Sequence, residues 1–281
     1  MEKFISFDRI PKFVINLDKN KDRYEKFKKY KNIIRWKAIY GKDFIGDNKF
    51  QRSMTINTRR KIEKQSRRAS DEEIDSPGAI GCALSHYYLW KSFVEKQTCQ
   101  DYLYYNPNTY YDMSFDNEYI LVFEDDCNIN DDVLNDIEKQ YNQFSELCLK
   151  NNIKWDVFLF GRISIISRKI DELFQKVWMF MGMHCYLIKK NAILKIINDY
   201  DFFPIDTHID FFLSYKTMSR LLDIYSGNNV YVYQDGETSI IAHGLPLNRE
   251  QKISKIVLLI FIGLLLYIVY KFVSCKNKKI K

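Results

Sequence analysis

The sequence predicts an α/β sandwich with a mostly parallel sheet, followed by one C-terminal transmembrane helix. Short apolar runs typical of strands alternate with longer segments at helical spacing, which is the pattern of α/β proteins. The run at 119–123 is continuously apolar, and the run at 155–160 is apolar except for Asp156, as in strands that are buried on both faces. Near the C-terminus, residues 256–270 contain no charged side chain.

The first half of the chain is predicted to begin with a strand and a helix. Asp18 is a candidate N-cap between them, and Gly41 closes a second strand. Pro77 and the glycines that follow it indicate a turn and then a helix start at 76–81. The predicted elements are a strand over 12–17, a helix over 21–30, a strand over 33–40, a basic helix over 55–70 and a helix over 83–96.

The second half continues the alternation. Asn130 or Asp131 caps the first of its helices, and Pro204 opens the last. The polar stretch 99–117 is long for a connection, so we expect a lid or an insertion. The predicted elements are strands over 119–123, 155–160, 184–188, 230–233 and 239–242, and helices over 131–150, 190–200 and 206–213. Residues 1–248 form the predicted catalytic domain, and residues 249–281 its anchor.

The chain has 281 residues and a net charge of +7. The excess lies largely around 52–68 and in the last eleven residues, and no stacking aromatics are interleaved with the basic run. This distribution argues against a nucleic-acid-binding protein. The run is either a solvated helix or a surface for anionic headgroups or an acidic acceptor. The Lys-, Asn- and Ile-rich composition is typical of an AT-rich genome, such as that of a large DNA virus.

The six cysteines show neither C-x-x-C pairs nor zinc spacing, which favours reduced thiols in a cytosol-like compartment. The first 18 residues lack the apolar core of a secretory signal. Residues 253–275 are long enough to cross a bilayer if Lys255 and Lys271 extend towards the headgroups. A buried core helix is the alternative. We expect a single-pass membrane protein with a cytosolic catalytic domain, although the basic tail after Cys275 favours the opposite orientation.

The stretch YILVFEDD at 119–126 is the most informative local feature. Glu124, Asp125 and Asp126 repel one another at the carboxyl end of a buried strand, where α/β proteins bind ligands. A divalent cation removes that repulsion and leaves positions open for phosphate oxygens. A metal–diphosphate site is therefore the preferred interpretation. The alternative is a capping cluster for the helix over 131–150.

Six segments occur in this order along the chain: FVINLDKNKDRYEKF at 13–27, PGAIGCALSHYYLW at 77–90, YILVFEDD at 119–126, WDVFLFG at 155–161, CYLIKKNAILKII at 185–197 and PID at 204–206. Together they resemble glycosyltransferase family 25. The resemblance covers about residues 12–245 and implies a GT-A-like nucleotide-sugar-binding fold, a UDP-sugar donor, Mn²⁺ dependence (or Mg²⁺) and inversion at the sugar. Ala79 departs from the family pattern, which often has an acid there, and so does the C-terminal apolar segment.

The resemblance implies a role for each acid of the triplet. Asp126 is the expected metal ligand, with Asp125 as a second ligand or, like Glu124, a contact to ribose or sugar hydroxyls. His243 is expected to complete the metal site, and an ordinary loop histidine is the alternative.

Three further residues are assigned to the donor site. Asn16 is expected to bind the nucleotide base, and Arg23 a phosphate or base edge, unless Arg23 is a solvated charge. His86 follows Ser85, but neither a third partner nor a G-x-S-x-G turn supports a hydrolase triad. His86 is therefore expected to orient a loop or a donor hydroxyl, or to be a buried structural histidine.

An inverting transfer needs a general base to take the proton of the acceptor hydroxyl. Asp206 and Asp210 are four residues apart and are predicted to share one helix face, with Asp206 the first choice. Helix capping by Asp206 is the alternative.

The predicted function is metal-dependent, inverting transfer of a hexose from a UDP-sugar to a hydroxyl of a glycan, lipid-linked sugar or protein. The rival functions are a catalytically silent membrane module that binds nucleotide-sugar or glycan, and a metal-dependent phosphohydrolase.

Overall fold

The computed structural model describes residues 4–65, 72–96, 113 and 115–234, all of which belong to one unit, Met1–Asp235. The predicted boundary at 248, the strand over 239–242 and the membrane segment over 253–275 lie outside these residues. Within the described part, no helix is long and apolar enough to span a bilayer.

One mixed sheet of eight strands, in the order β2-β1-β3-β7-β4-β8-β6-β5, dominates the described residues. The strands are β1 (Lys12–Asn16), β2 (Ile33–Lys37), β3 (Tyr119–Glu124), β4 (Val157–Gly161), β5 (Ser164–Lys169), β6 (Phe174–Met181), β7 (Cys185–Lys189) and β8 (Ile224–Gly227). The helices are α1 (Lys21–Lys28), α2 (Asn48–Arg52), α3 (Ile56–Glu63), α4 (Pro77–Glu95), α5 (Asp131–Asn151), α6 (Lys190–Ile197) and α7 (Ile209–Met218).

The prediction of a mostly parallel sheet is wrong. β1 pairs in parallel with β2 and β3, and β4 with β8, but the other four pairings are antiparallel. β7 lies antiparallel between β3 and β4, and β6 runs in the same sense as β7. The sequence hides this reversal, because a strand buried on both faces is continuously apolar in either direction.

The core lies on both faces of the sheet. On β3, Tyr119, Leu121 and Phe123 belong to the cluster that packs against α5, and the residues between them face the other side. On that second face, the Tyr186 ring of β7 contacts the Trp90 ring of α4. Helices therefore cover both faces, as the sequence predicts for an α/β sandwich.

Two local predictions near the C-terminal part of the sheet are wrong. The predicted helix over 206–213 begins only at Ile209, because the preceding backbone bonds elsewhere: Ile205 N donates to Ser53 O and His208 N to Glu72 O. The predicted strand over 230–233 is reduced to an isolated bridge at Val232. The β5–β6 hairpin and β8 were not predicted at all.

Candidate functional site

The carboxyl ends of β1 and β3 meet at one edge of the sheet. These parallel neighbours end at Asn16 and Glu124, and the chain then turns through Asp125 and Asp126. The acids do not cap α5, because Asn130 does so: its side chain accepts a hydrogen bond from Val133 N at 2.8 Å. The capping alternative is therefore excluded for this triplet.

Asp125 is buried and held by two donors. Asn16 Nδ2 lies 2.6 Å from Asp125 Oδ2, and Arg23 lies 3.3 Å from Asp125 Oδ1. Arg35 Nε donates to Asn16 Oδ1 at 2.7 Å, which leaves the amide nitrogen of Asn16 to face Asp125. The structure thus brings Asn16, Arg23 and Asp125 together, and Arg23 is not a freely solvated charge.

Asp126 is equally buried but incompletely satisfied. Its Oδ2 accepts from Gln234 Nε2 at 2.8 Å, whereas its buried Oδ1 has no hydrogen-bond partner among the described residues. Burial, followed by the nearby charge of Glu124, raises the pKa of Asp126 from 3.8 to about 7. Arg23 and Gln234 therefore compensate the charge of Asp126 only in part.

Glu124 faces the opposite side of the triplet, towards α4. Its Oε1 lies 3.2 Å from His86 Nε2, and its side chain is 22% exposed. Burial, the charge of Asp210 and the charge of Asp125 raise the pKa of Glu124 to about 8. Burial lowers the pKa of His86 to about 3, so its imidazole is neutral near pH 7.

A divalent cation fits this edge. Asp126 Oδ1, which has no partner among the described residues, is an oxygen ligand of the kind that Mn²⁺ and Mg²⁺ prefer. Burial and then the neighbouring carboxylates raise the pKa values of Glu124 and Asp126, and a bound cation would offset both effects. Ligand atoms of Cys82, His86 and Glu124 also lie within 4.8 Å of one another. Burial raises the pKa of the Cys82 thiol well above its usual value, and His86 Nε2 already bonds to Glu124, so this second set is less suited to an ion.

The two candidate bases occupy different environments. Asp210 accepts from Gly182 N at 2.9 Å, and its charge acts on Glu124 and His86. Gly182 has a φ of +78°, a conformation that side chains rarely adopt. Asp206 is exposed, bonds to Thr207 and precedes α7, so the prediction that both aspartates share one helix face is wrong.

The sequence did not indicate several residues that contribute to this site. Gln234 belongs to no motif, and its role depends on an isolated bridge to Cys127. Tyr186 and Trp90 stand within matched motifs, but their apolar surroundings indicated only core packing. His243 lies outside the described residues, so its metal role stays a prediction.

A family model described as glycosyltransferase family 25 (LPS biosynthesis protein) matches residues 9–213. The matched range includes Asn16, Arg23, His86, the acid triplet and Asp210, but not Gln234. No match was found among curated proteins.

Proposed function

The chain belongs to glycosyltransferase family 25, and from this premise we propose that it transfers a hexose from a UDP-sugar to a hydroxyl with inversion, using a divalent cation. One observation carries the metal dependence: Asp126 Oδ1 is buried beside two other carboxylates and has no hydrogen-bond partner in the part of the chain that the structure describes. A bound cation would give this atom the positive partner that burial requires.

The residues at the carboxyl ends of β1 and β3 have separate roles in this proposal. Asp126 holds the metal, which when bound neutralises charge on the leaving diphosphate. Asp125 is the candidate second ligand, and its bonds to Asn16 and Arg23 fix its carboxylate in place. We expect Arg23 and Asn16 to contact the nucleotide as well, since both stand at the carboxyl end of β1, where α/β folds bind nucleotides.

Asp210 is now the preferred general base. Its carboxylate is anchored by Gly182 N and is close enough to Glu124 to raise its pKa. Asp206 is exposed, and its charge acts on Tyr215 instead. Because Asp210 is anchored and lies near the acid triplet, it is better placed than Asp206 to accept the proton of an acceptor hydroxyl.

The decisive experiment uses the full chain with a panel of UDP-sugars, an oligosaccharide acceptor and Mn²⁺. We expect UDP release that EDTA stops and that Asp126→Asn reduces about 1000-fold, the order expected for losing several kcal/mol of charge stabilisation. Asp132→Asn, an exposed acid in the first turn of α5, is the matched control and should retain activity.

Other products would identify the rival functions. UMP and sugar phosphate without an acceptor product would indicate a phosphohydrolase. Thermal stabilisation by UDP and Mn²⁺ without turnover across the panel would indicate a silent binding module.

We also propose that the apolar segment over 253–275 anchors the protein in a membrane, with the catalytic domain in the cytosol. This proposal rests on the sequence alone. Alkaline extraction of membranes from expressing cells tests it: an anchored chain stays in the pellet, whereas a chain shortened after residue 248 is released.

A further inference from the structure

A chain of hydrogen bonds runs from the interior of the protein to Glu124. Trp90 Nε1 lies 3.0 Å from Tyr186 Oη, and Tyr186 Oη lies 2.7 Å from His86 Nδ1. His86 Nε2 then lies 3.2 Å from Glu124 Oε1. Trp90, Tyr186 and His86 have no exposed surface, whereas Glu124 keeps 22% of its side chain exposed. The chain of bonds therefore ends at a residue that a substrate can reach.

The chemistry of Trp90 fixes the direction of these bonds. An indole nitrogen only donates, so Tyr186 Oη accepts from Trp90. If Oη also accepted from His86 Nδ1, its own buried proton would have no acceptor among the described residues, so the hydroxyl donates to His86 Nδ1. A neutral imidazole that accepts at Nδ1 carries its proton on Nε2. His86 consequently donates from Nε2 to Glu124 Oε1, which can accept whether the carboxyl group is ionised or carries a proton on its other oxygen. In the other tautomer, the Nε2 lone pair would face that oxygen.

We propose that His86 is a positioning residue that holds the side chain of Glu124, and that Glu124 in this position contacts a hydroxyl of the donor sugar. In this proposal, Trp90 and Tyr186 set the tautomer of the His86 imidazole. This inference rests on the proposed transferase function and extends it. Asn16 and Arg23 fix Asp125 from the β1 side, and His86 fixes Glu124 from the α4 side. Asp126 Oδ1 remains for the metal.

The tautomer can be tested without any turnover. Nitrogen NMR of the ¹⁵N-histidine-labelled full chain at neutral pH should show His86 protonated at Nε2 and not at Nδ1. Tyr186→Phe removes the donor to Nδ1 and should change the His86 signals. His184, whose Nε2 lies 3.2 Å from Val232 O, is an internal control and should keep its signals. A proton on Nδ1 of His86 in the wild type would overturn the proposal.

The positioning role is tested by two substitutions. His86→Leu should lower sugar transfer about 10- to 100-fold, the usual cost of losing a group that orients a site residue. The affinity for UDP should not change, because we assign nucleotide binding to Asn16 and Arg23. His86→Gln keeps a donor near Glu124 and should recover part of the rate.

Two outcomes of this kinetic test contradict the proposal: a Gln variant no better than the Leu variant, or UDP affinity lost together with transfer. If the wild type itself transfers no sugar, the transferase function fails, and with it the role given to Glu124. The NMR result then still decides whether Trp90 and Tyr186 set the tautomer of His86.

Discussion

Two buried aspartates, one before the first residue of a central strand and one after the last residue of another, have contrasting surroundings. Asp156 immediately precedes β4 and is 8% exposed, and Asp126 follows β3 and is 9% exposed. Asp156 has a full set of partners: Lys195 Nζ lies 2.9 Å from both of its oxygens, and Asp223 N donates to Oδ2 at 2.9 Å. Asp126 has Gln234 on one oxygen and no partner on the other among the described residues.

The contrast shows that burial of an acid does not by itself identify a functional site. Removing a buried carboxylate whose partners are all supplied by the protein is destabilising, because those partners are left without their acceptor. A buried carboxylate with a missing partner costs free energy unless a ligand supplies one. Asp156 is therefore structural, and Asp126 is the candidate for a ligand.

The largest expected difference between the two sites is in activity. Asp126→Asn should reduce metal-dependent transfer about 1000-fold, while Asp156→Asn should leave the rate per folded molecule unchanged. Initial rates normalised to the folded fraction measure this. Equal losses in the two variants would show that the two aspartates do not differ in function.

Stability should respond in the opposite sense. Asp156→Ala removes the partner of Lys195 and of Asp223 N and should lower the free energy of unfolding by about 2–3 kcal/mol, the range for hydrogen bonds to a charged group. Denaturant unfolding in EDTA gives this value. Asp126→Asn, measured alongside, should cause no comparable loss, since it removes an uncompensated charge.

The pH dependence sharpens the comparison. The pKa of Asp126 is raised from 3.8 to about 7, so between these values the folded protein keeps a proton that the unfolded chain releases. The wild type therefore loses stability relative to Asp126→Asn as the pH rises from about 4 to about 7. We expect the difference to reach several kcal/mol above that window, at about 1.4 kcal/mol for each pKa unit. Melting curves in EDTA that shift in parallel at every pH would contradict this.

The smallest expected effect concerns Asp206. Because its carboxylate is exposed and bonds to Thr207, Asp206→Asn should change transfer less than about twofold, as surface substitutions usually do. Asp210→Asn should lower transfer about 100-fold or more, the scale of general-base catalysis. A larger loss for Asp206→Asn than for Asp210→Asn would restore the first choice made from the sequence.

Local patterns predicted much of the fold. β1, β3 and α5 were predicted to within one or two residues, because an apolar run or an amphipathic period needs only neighbouring side chains. The strand direction of β7 and the β5–β6 hairpin were not predicted. No residue of β5 is buried, so its sequence has no strongly apolar face to indicate a strand. The direction of β7 depends on its pairing partners, which are distant in sequence.

Some residues of the candidate site could likewise be identified from local sequence, and others could not. The triplet at 124–126 was found because three adjacent acids at a strand end are locally costly. Gln234 and Tyr186 were not assigned, since each is 60 or more residues away along the chain and only packing brings it to the acids.

The sequence by itself determined that carboxylates crowd the end of a buried strand and that the chain resembles a transferase family. Those conclusions follow from neighbouring residues and their order. Only the tertiary structure decided which carboxylate is paired with Arg23, which is hydrogen-bonded to His86 and which has an oxygen without a partner among the described residues. Hydrogen bonds act over about 3 Å, and partners distant in sequence reach that distance only after the sheet and its helices have packed.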